Sequence, residues 1–292
     1  MDTVSFSFCD DVAACLLKSH LGSIGELRKL PRKWGHAAEE HYEKRIQGWV
    51  NFTKLGNPLR PEIITTSRGG MVELDPNQAA CIFNPKYLVI IDVAGHVPGE
   101  VPAPCSSKEL LQFLDFVVPH LVNPIPFRLI ARCELSREEK DYFELILERL
   151  RFIPKFHTIS ISNFDKAGEN FLATQVDLNL VKVIRLKDDY DESILPVLNK
   201  FVRSSSFEQL EAPFLDFDMD LFEAFFQRYC TGQLDGKNDC SIEFRDFPFN
   251  QDVVDNYRKD LQVEGGELRW KSDQSAHFLS LSRNDSLRVH LL

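Results

Sequence analysis

The sequence predicts an α+β fold in which a small N-terminal helical module precedes a larger body of helices and strands. Three observations lead to this prediction. Apolar residues recur at helical spacing within the first 45 residues, helix and strand patterns alternate between Lys108 and Phe249, and the residues after Gly266 alternate with period two. With 292 residues, 43% of them hydrophobic, the chain can bury a sizeable core.

One unit, from Phe143 to Phe164, sets the pattern of the body. Its first half has near-helical apolar spacing, Pro154 ends the helix, and the residues from Phe156 onward alternate as a strand. The pattern recurs, and the middle apolar residues of the five strands are Leu129, Ile159, Ile184, Leu210 and Ile242, at steps of 30, 25, 26 and 32 residues. Periods of roughly 20 to 30 residues with one strand per unit are typical of a leucine-rich-repeat-like solenoid, whose stacked units build the core. An ordinary α/β sandwich with irregular spacing is the alternative.

The first 45 residues predict three short helices that form a compact module. The first begins at Asp10 or Asp11 and runs to Leu17, with Val12 and Leu16 on its apolar side. The other two carry one stripe each: Ile24, Leu27 and Leu30 on the second, and Trp34, Ala37, Ala38 and His41 on the third, whose first turn holds Pro31.

The remainder of the chain, residues 46–292, is predicted as one repeat-like α/β domain. It begins with the half-buried strand QGWVNFTKL, a hairpin around Gly69-Gly70 and the fully covered strand YLVIIDVAG. The Pro-rich segment 96–107 is a loop and a possible internal boundary. A last helix is predicted over Val253 to Leu261, and then ELRW, HFLSLS and SLRVHLL form an antiparallel end that closes the sheet edge.

Charge and cysteine usage restrict the function classes. Residues 1–60 hold nine Lys/Arg and seven Asp/Glu, whereas the remainder holds 25 and 37, so the body is acidic and a general nucleic-acid-binding role is not expected. No leader pattern and no apolar run long enough to span a membrane is present, so neither secretion nor a membrane partner is expected. Seven scattered cysteines fit reduced thiols, which predicts a cytoplasmic or nuclear protein.

No constellation in the sequence predicts catalysis, a cofactor or a metal. Asp216, Asp218 and Asp220 alternate as calcium ligands do, but the Gly and distal Glu of an EF-hand loop are missing. Asp218 or Asp220 is better explained as the N-cap of the following helix, and Ser106 or Ser107 as the cap of the helix from Lys108. The chain is therefore not expected to be an enzyme.

The spacing Leu27-x-x-Leu30, followed by Pro31-Arg32-Lys33-Trp34, resembles the later elements of an F-box. Phe8-Cys9 stands where the F-box pattern has Leu-Pro, which is a departure from that pattern. The start MDTVSFSFCDDV, the block from Trp34 to His41, and FLATQVDLNLVKVIRLK followed by FVRSSSFEQLEAP resemble a large nematode-specific family of F-box-like proteins. This likeness covers most of the chain.

The resemblance implies a protein-binding adaptor that selects substrates for a cullin–RING ubiquitin ligase of the SCF type. The helical module would dock on the Skp-type adaptor subunit, and the repeats would bind an unknown target protein. By resemblance, the docking residues are Val12, Leu16, Leu27 and Leu30, with Trp34 packing beneath them; a role in the module's own core is the alternative for all five. Since Leu-Pro is absent, the alternative function is an interaction scaffold that has lost ligase docking.

Overall fold

The fold is described from a computed structural model. It describes residues 5–16, 26, 28–30, 32–54, 60–67, 70–74, 88–97, 104–121, 124–131, 135–216, 218–234, 240–245, 261–264, 267–271, 277–281 and 286–291. The contacts divide the chain into two compact units, Met1–Leu150 and Arg151–Leu292. The predicted boundaries, at residue 45 and within 96–107, both lie inside the first unit.

The first unit is a mixed sheet with helices. Its strands lie in the order β5-β4-β1-β2-β3, with β4 parallel to both β1 and β5, and with β1, β2 and β3 antiparallel. The elements in chain order are α1 (Phe6–Leu16), α2 (Lys33–Lys44), β1 (Ile46–Lys54), β2 (Arg60–Ser67), β3 (Gly70–Leu74), β4 (Leu88–Val97), α3 (Ser107–Val117), a 3-10 turn (Val118–His120), β5 (Ile125–Ala131) and α4 (Arg137–Leu150).

The strands of this unit confirm the sequence patterns. Leu88, Val89 and Ile90 are consecutive and all buried, as expected for a strand that is covered on both faces. The β2–β3 hairpin pairs Ser67 with Gly70, which places its turn at the predicted point. The cap of α3 is also confirmed: Ser106 accepts a bond from the Glu109 amide, and the Glu109 carboxylate accepts one from the Ser106 amide.

The second unit is built around parallel strands separated by helices. β6, β7, β8 and β9 are parallel neighbours, and β13, β12, β11 and β10 continue from β9 as an antiparallel end. The elements are β6 (Phe156–Ile161), α5 (Asp165–Asp177), β7 (Val183–Leu186), a 3-10 turn (Glu192–Ile194), α6 (Leu195–Arg203), β8 (Gln209–Asp216), α7 (Met219–Cys230), β9 (Ser241–Arg245), β10 (Leu261–Glu264), β11 (Glu267–Lys271), β12 (His277–Leu281) and β13 (Ser286–Leu291).

The middle apolar residues predicted for these strands lie in one register row. Ile159 is the direct partner of Ile184, Ile184 of Leu210, and Leu210 of Ile242, and all four side chains are fully buried. The fifth, Leu129, lies in the first unit, where it is buried on β5 and pairs with Gly95. The recurring helix–strand pattern therefore identified strands that are neighbours in β6–β9.

Two helix predictions fall largely on residues that are not described. The second N-terminal helix, marked by Ile24, Leu27 and Leu30, is described only at Glu26 and from Arg28 to Leu30. The helix predicted over Val253 to Leu261 lies outside the described residues except for Leu261, which begins β10 and pairs with Trp270. Among the described helices, none is both long and apolar enough to cross a membrane.

Candidate functional site

Three of the five residues of the site predicted from sequence, Val12, Leu16 and Trp34, lie on the two N-terminal helices, and the first helix begins earlier than predicted. Ser5 caps α1, because its hydroxyl accepts a hydrogen bond from the Phe8 amide at 3.1 Å. The prediction that Asp10 or Asp11 starts the helix is therefore wrong. Asp10 has a different role: its carboxylate lies 3.0 Å from Nε2 of His41 on α2, and both residues are buried. This buried pair links the two helices.

Small side chains allow the two helices to pack closely. Cys9 and Ala13 are one helical turn apart on α1, and they form a buried cluster with Ala37 on α2. Ala38 is also buried on α2. The predicted stripe of the third helix is thus confirmed at Ala37, Ala38 and His41, and Trp34 packs partly buried against the same cluster.

The chain before α2 is held against that helix by its backbone and by Arg28. A Cβ atom at Gly35 would lie 2.3 Å from the carbonyl oxygen of Leu30, so only glycine fits there without a shift. The Arg28 guanidinium donates to both carboxylate oxygens of Glu39, one of them at 2.8 Å, and lies 4.5 Å from the centre of the Tyr42 ring. These contacts position Leu30 beside the start of α2.

The structure places three of the five predicted docking residues. Val12 is half-buried on α1, Trp34 is half-buried on α2, and Leu30 is 42% exposed just before α2. Leu16 is the last residue of α1, and Leu27 lies outside the described residues. The sequence did not separate core from surface among these positions, whereas the structure shows that Leu30 is available to solvent.

Sequence reasoning missed Phe8, the most exposed large hydrophobic residue among the side chains of the helix pair that the structure describes. It is 53% exposed, and its ring lies edge-on to Trp34 with 6.2 Å between centroids. Phe8 and Val12 are four residues apart on α1 and so share one face. We call Phe8, Val12, Leu30 and Trp34 the N-terminal apolar patch. The sequence signal for Phe8 was its position four residues before Val12. Because α1 begins at Phe6, this spacing places both residues on one face of the helix.

Elsewhere, the buried polar groups serve the fold. The hydroxyl of Tyr142 donates to the Phe52 carbonyl, and that of Tyr190 to the Ser162 carbonyl at 2.6 Å; burial raises the pKa of both hydroxyls, so they remain donors. Burial also raises the pKa of Asp92, against the opposing effect of its ion pair with Arg128. Among the described residues, no three His, Cys, Asp or Glu side chains form a group that could hold a metal ion.

The middle one of the three alternating aspartates, Asp218, caps a helix. The Asp218 carboxylate accepts a hydrogen bond from the Leu221 amide at 2.8 Å, so Asp218 is the N-cap of α7, as predicted from sequence. Asp188 also has a local role, because it accepts a hydrogen bond from the Asn163 amide at 3.0 Å.

No protein-family model matches the chain, and searches of curated proteins and of solved structures found no significant similarity. The N-terminal apolar patch is therefore interpreted from its own geometry.

Proposed function

We propose that this chain is a substrate-recognition adaptor of a cullin–RING ubiquitin ligase of the SCF type. The N-terminal apolar patch docks on the Skp-type subunit, and the second unit binds a target protein. The resemblance of Leu27-x-x-Leu30 and Pro31-Arg32-Lys33-Trp34 to F-box elements supports this proposal. So does the cytoplasmic or nuclear location that the cysteines predict.

One observation carries the proposal. The core between α1 and α2 is made by Cys9, Ala13 and Ala37. Phe8, whose ring lies against Trp34, is 53% exposed, and Leu30, just before α2, is 42% exposed. A helix pair this small is stabilised by every apolar side chain that it buries. Large apolar groups that it leaves outside, next to an aromatic neighbour such as Trp34, are typical of the anchors of a protein interface.

The mechanism that follows is tethering rather than chemistry. A chain that binds the ligase through one surface and the target through another raises the effective concentration of the target near the ligase. Neither surface has to bind tightly for this effect, provided that both are occupied together. No catalytic residue on this chain is required.

The test is capture of the full-length chain by an immobilised Skp-type subunit. Phe8→Asp and Leu30→Asp each place an unpaired carboxylate in the apolar interface, which costs on the order of 3–5 kcal/mol, so capture should be lost. Leu111→Asp is the matched control, because Leu111 is an exposed leucine on α3 of the same unit. It should be captured like the wild type.

Circular dichroism and thermal unfolding show whether each variant keeps the wild-type fold. If the wild-type chain is not captured at all, the proposal is wrong and the alternative holds, namely an interaction scaffold without ligase docking. If Leu111→Asp loses capture to the same extent, the added charge has a general effect. That result contradicts the assignment of the N-terminal apolar patch as the docking surface.

A further inference from the structure

Strand β8 contains a bulge that changes the direction of its side chains. From Gln209 to Ala212 its residues pair one-to-one with β9, but the next pair joins Asp216 to Arg245, directly after the pair of Ala212 with Phe244. Three residues of β8 therefore have no opposite partner on β9. Pro213, which lacks an amide hydrogen, is the first of them, and bulges are one of the few places where a sheet accepts proline.

The bulge presents an aromatic side chain to solvent. Phe214 is 44% exposed, whereas its neighbour Leu215 is buried. Met219, at the start of α7, is 36% exposed on the other side of the short connection between β8 and that helix. We call Phe214 and Met219 the bulge pair. Bulges that re-aim a side chain are frequent beside binding sites, and methionine adapts its shape to varied partners.

The surroundings of the bulge pair are strongly acidic. Parallel strands end at the same edge of a sheet, so the connections that follow β6, β7 and β8 lie side by side. Their described carboxylates are Asp165, Asp188, Asp189, Asp191, Glu192, Asp216, Asp218 and Asp220. The cations among them are Lys166, whose amine is 2.7 Å from Glu169, and Lys187, whose amine is 3.7 Å from Glu211. Arg245, the last residue of the neighbouring β9, adds a third cation in register with Asp216.

This acidity belongs to one edge rather than to the unit as a whole. At the opposite edge, where β6, β7 and β8 begin, the described connections and the helix ends that precede them carry Arg151, Lys155, Lys182 and Arg203, with Asp177 and Glu208 as their acidic residues. The edge that holds the bulge pair therefore has the opposite charge to the edge across the sheet. A partner that is drawn to it must be basic.

Two of the three connections at this edge, those that follow β6 and β7, are joined to each other by hydrogen bonds before any partner arrives. The Asn163 side-chain amide donates to the Asp189 carbonyl at 2.8 Å, and its backbone amide donates to the Asp188 carboxylate, so the first two connections are joined. The Tyr190 hydroxyl bonds the Ser162 carbonyl across the same pair. Binding to a surface that is already ordered loses less conformational entropy.

From these observations we infer that the bulge pair is the docking point for a basic protein segment that carries an apolar anchor residue flanked by Lys or Arg. The inference deepens the proposed function, on which it rests for the identification of the occupant as the target protein. Charge complementarity selects a basic partner, and the exposed surfaces of Phe214 and Met219 favour contact with an apolar side chain of that partner. The aliphatic stems of Lys and Arg can also cover part of the pair.

The test uses the full-length chain and a fluorescent peptide with Leu-Phe at its centre and three Lys or Arg residues on each side. Fluorescence anisotropy compares it with a peptide of the same charge in which Ser-Ser replaces Leu-Phe. The wild-type chain should bind the first peptide about tenfold more tightly, since an apolar anchor contributes more than 1 kcal/mol. Phe214→Ser should remove that difference. Phe152→Ser, at an exposed phenylalanine outside this edge, should keep it.

Two further variants test the charge. Asp216→Asn combined with Asp220→Asn should weaken binding of both peptides and reduce its dependence on salt. Asp141→Asn, at an exposed carboxylate of the first unit, should not. Equal binding of the two peptides, or the same affinity after Phe214→Ser, would overturn the inference, as would no binding by the wild type. Capture by the Skp-type subunit is measured in parallel and should be unchanged by Phe214→Ser. A failure of the proposed function is thereby distinguished from a failure of peptide binding at the bulge pair.

Discussion

Gly35 occupies the point where α2 meets the chain that precedes it. The carbonyl oxygens of Leu30 and Arg28 approach the position of its missing Cβ at 2.3 and 3.1 Å. Because both neighbours are backbone atoms, no side-chain rotation can make room. Glycine is required here by the close approach of the preceding backbone.

We expect Gly35→Ala to destabilise the first unit by about 1–3 kcal/mol, the usual cost of overpacking. Gly168→Ala is the control: it lies in α5, and its added methyl would meet Phe164 at an ordinary 3.5 Å. Since alanine favours a helix over glycine by about 1 kcal/mol, that variant should be neutral or more stable. Urea unfolding followed by circular dichroism measures the stability of both variants. An unchanged midpoint for Gly35→Ala would contradict the prediction and show that the segment before α2 moves to accommodate the added methyl group.

Arg228 is a buried cation with a structural task. Its guanidinium donates to the carbonyls of Val202 and Ser204, the latter at 2.7 Å, and lies 5.7 Å from the centre of the Phe207 ring. These carbonyls lie at the end of α6, where the last turn of a helix leaves acceptors unsatisfied. Burial lowers the pKa of Arg228, which is the physical cost of placing a charge there.

Replacing Arg228 with Met keeps a similar stem but removes the donors from these carbonyls. The loss should be about 1–3 kcal/mol, the cost of leaving a buried acceptor unsatisfied. Arg203→Met is the comparison, because Arg203 is exposed and its side chain bonds Asn199. That change should stay within about 0.5 kcal/mol. Equal denaturant midpoints for Arg228→Met and Arg203→Met would contradict the structural role of Arg228.

At the scale of elements, successive helix–strand units are joined by polar side chains as well as by the core. Gln175 on α5 donates to the carbonyls of Arg151 and Ile153 at 2.6 and 3.2 Å, and Arg228 on α7 makes the equivalent contact to the end of α6. Lys200 on α6 pairs with Asp177 at the end of α5, 2.6 Å away. In the last two cases a helix contacts the end of the helix before it, whereas Gln175 contacts the connection that precedes β6.

The apolar row across β6–β9 should dominate the stability of the second unit. Ile184 lies in that row and is fully buried, so Ile184→Ala should cost about 2–5 kcal/mol through lost transfer energy and a residual cavity. Val183→Ala removes methyl groups from the adjacent, half-buried position and should cost less. Urea unfolding gives both values. A midpoint for Ile184→Ala that equals the wild type's contradicts the burial on which this prediction rests.

The sequence could predict these strands because each one must place an apolar residue at its centre against the helices. That requirement is local and recurs, and it identified Ile159, Ile184, Leu210 and Ile242 as strand centres. The start of α1 could not be predicted in this way, since Ser5 and Asp10 are both suitable caps. The choice depends on His41, 31 residues later in the chain. The exposure of Phe8 and the bulge at Phe214 likewise depend on packing and pairing partners that no local pattern contains.

At the scale of the whole molecule, each unit has its own aromatic core. Phe52 and Phe113 pack edge-on in the first unit at 6.0 Å between centroids, and Phe201 and Phe207 do so in the second at 5.2 Å. The N-terminal apolar patch belongs to the first unit, and the bulge pair belongs to the second. The proposed adaptor function needs two surfaces that can be changed independently, and the two proposed surfaces lie in different units.

The final prediction tests both surfaces on one chain. A Skp-type subunit is fixed to a surface, the full-length chain is added, and retention of the fluorescent Leu-Phe basic peptide is measured. Wild type should retain the peptide, because one chain binds both partners. Leu30→Asp should lose retention while still binding the peptide in solution, since the added carboxylate acts only where Leu30 is buried by the subunit. Phe214→Ser should be captured by the subunit but retain little peptide. Deletion of residues 1–45 should behave like Leu30→Asp, and retention of the peptide by that shortened chain would show that residues 1–45 are not the tether.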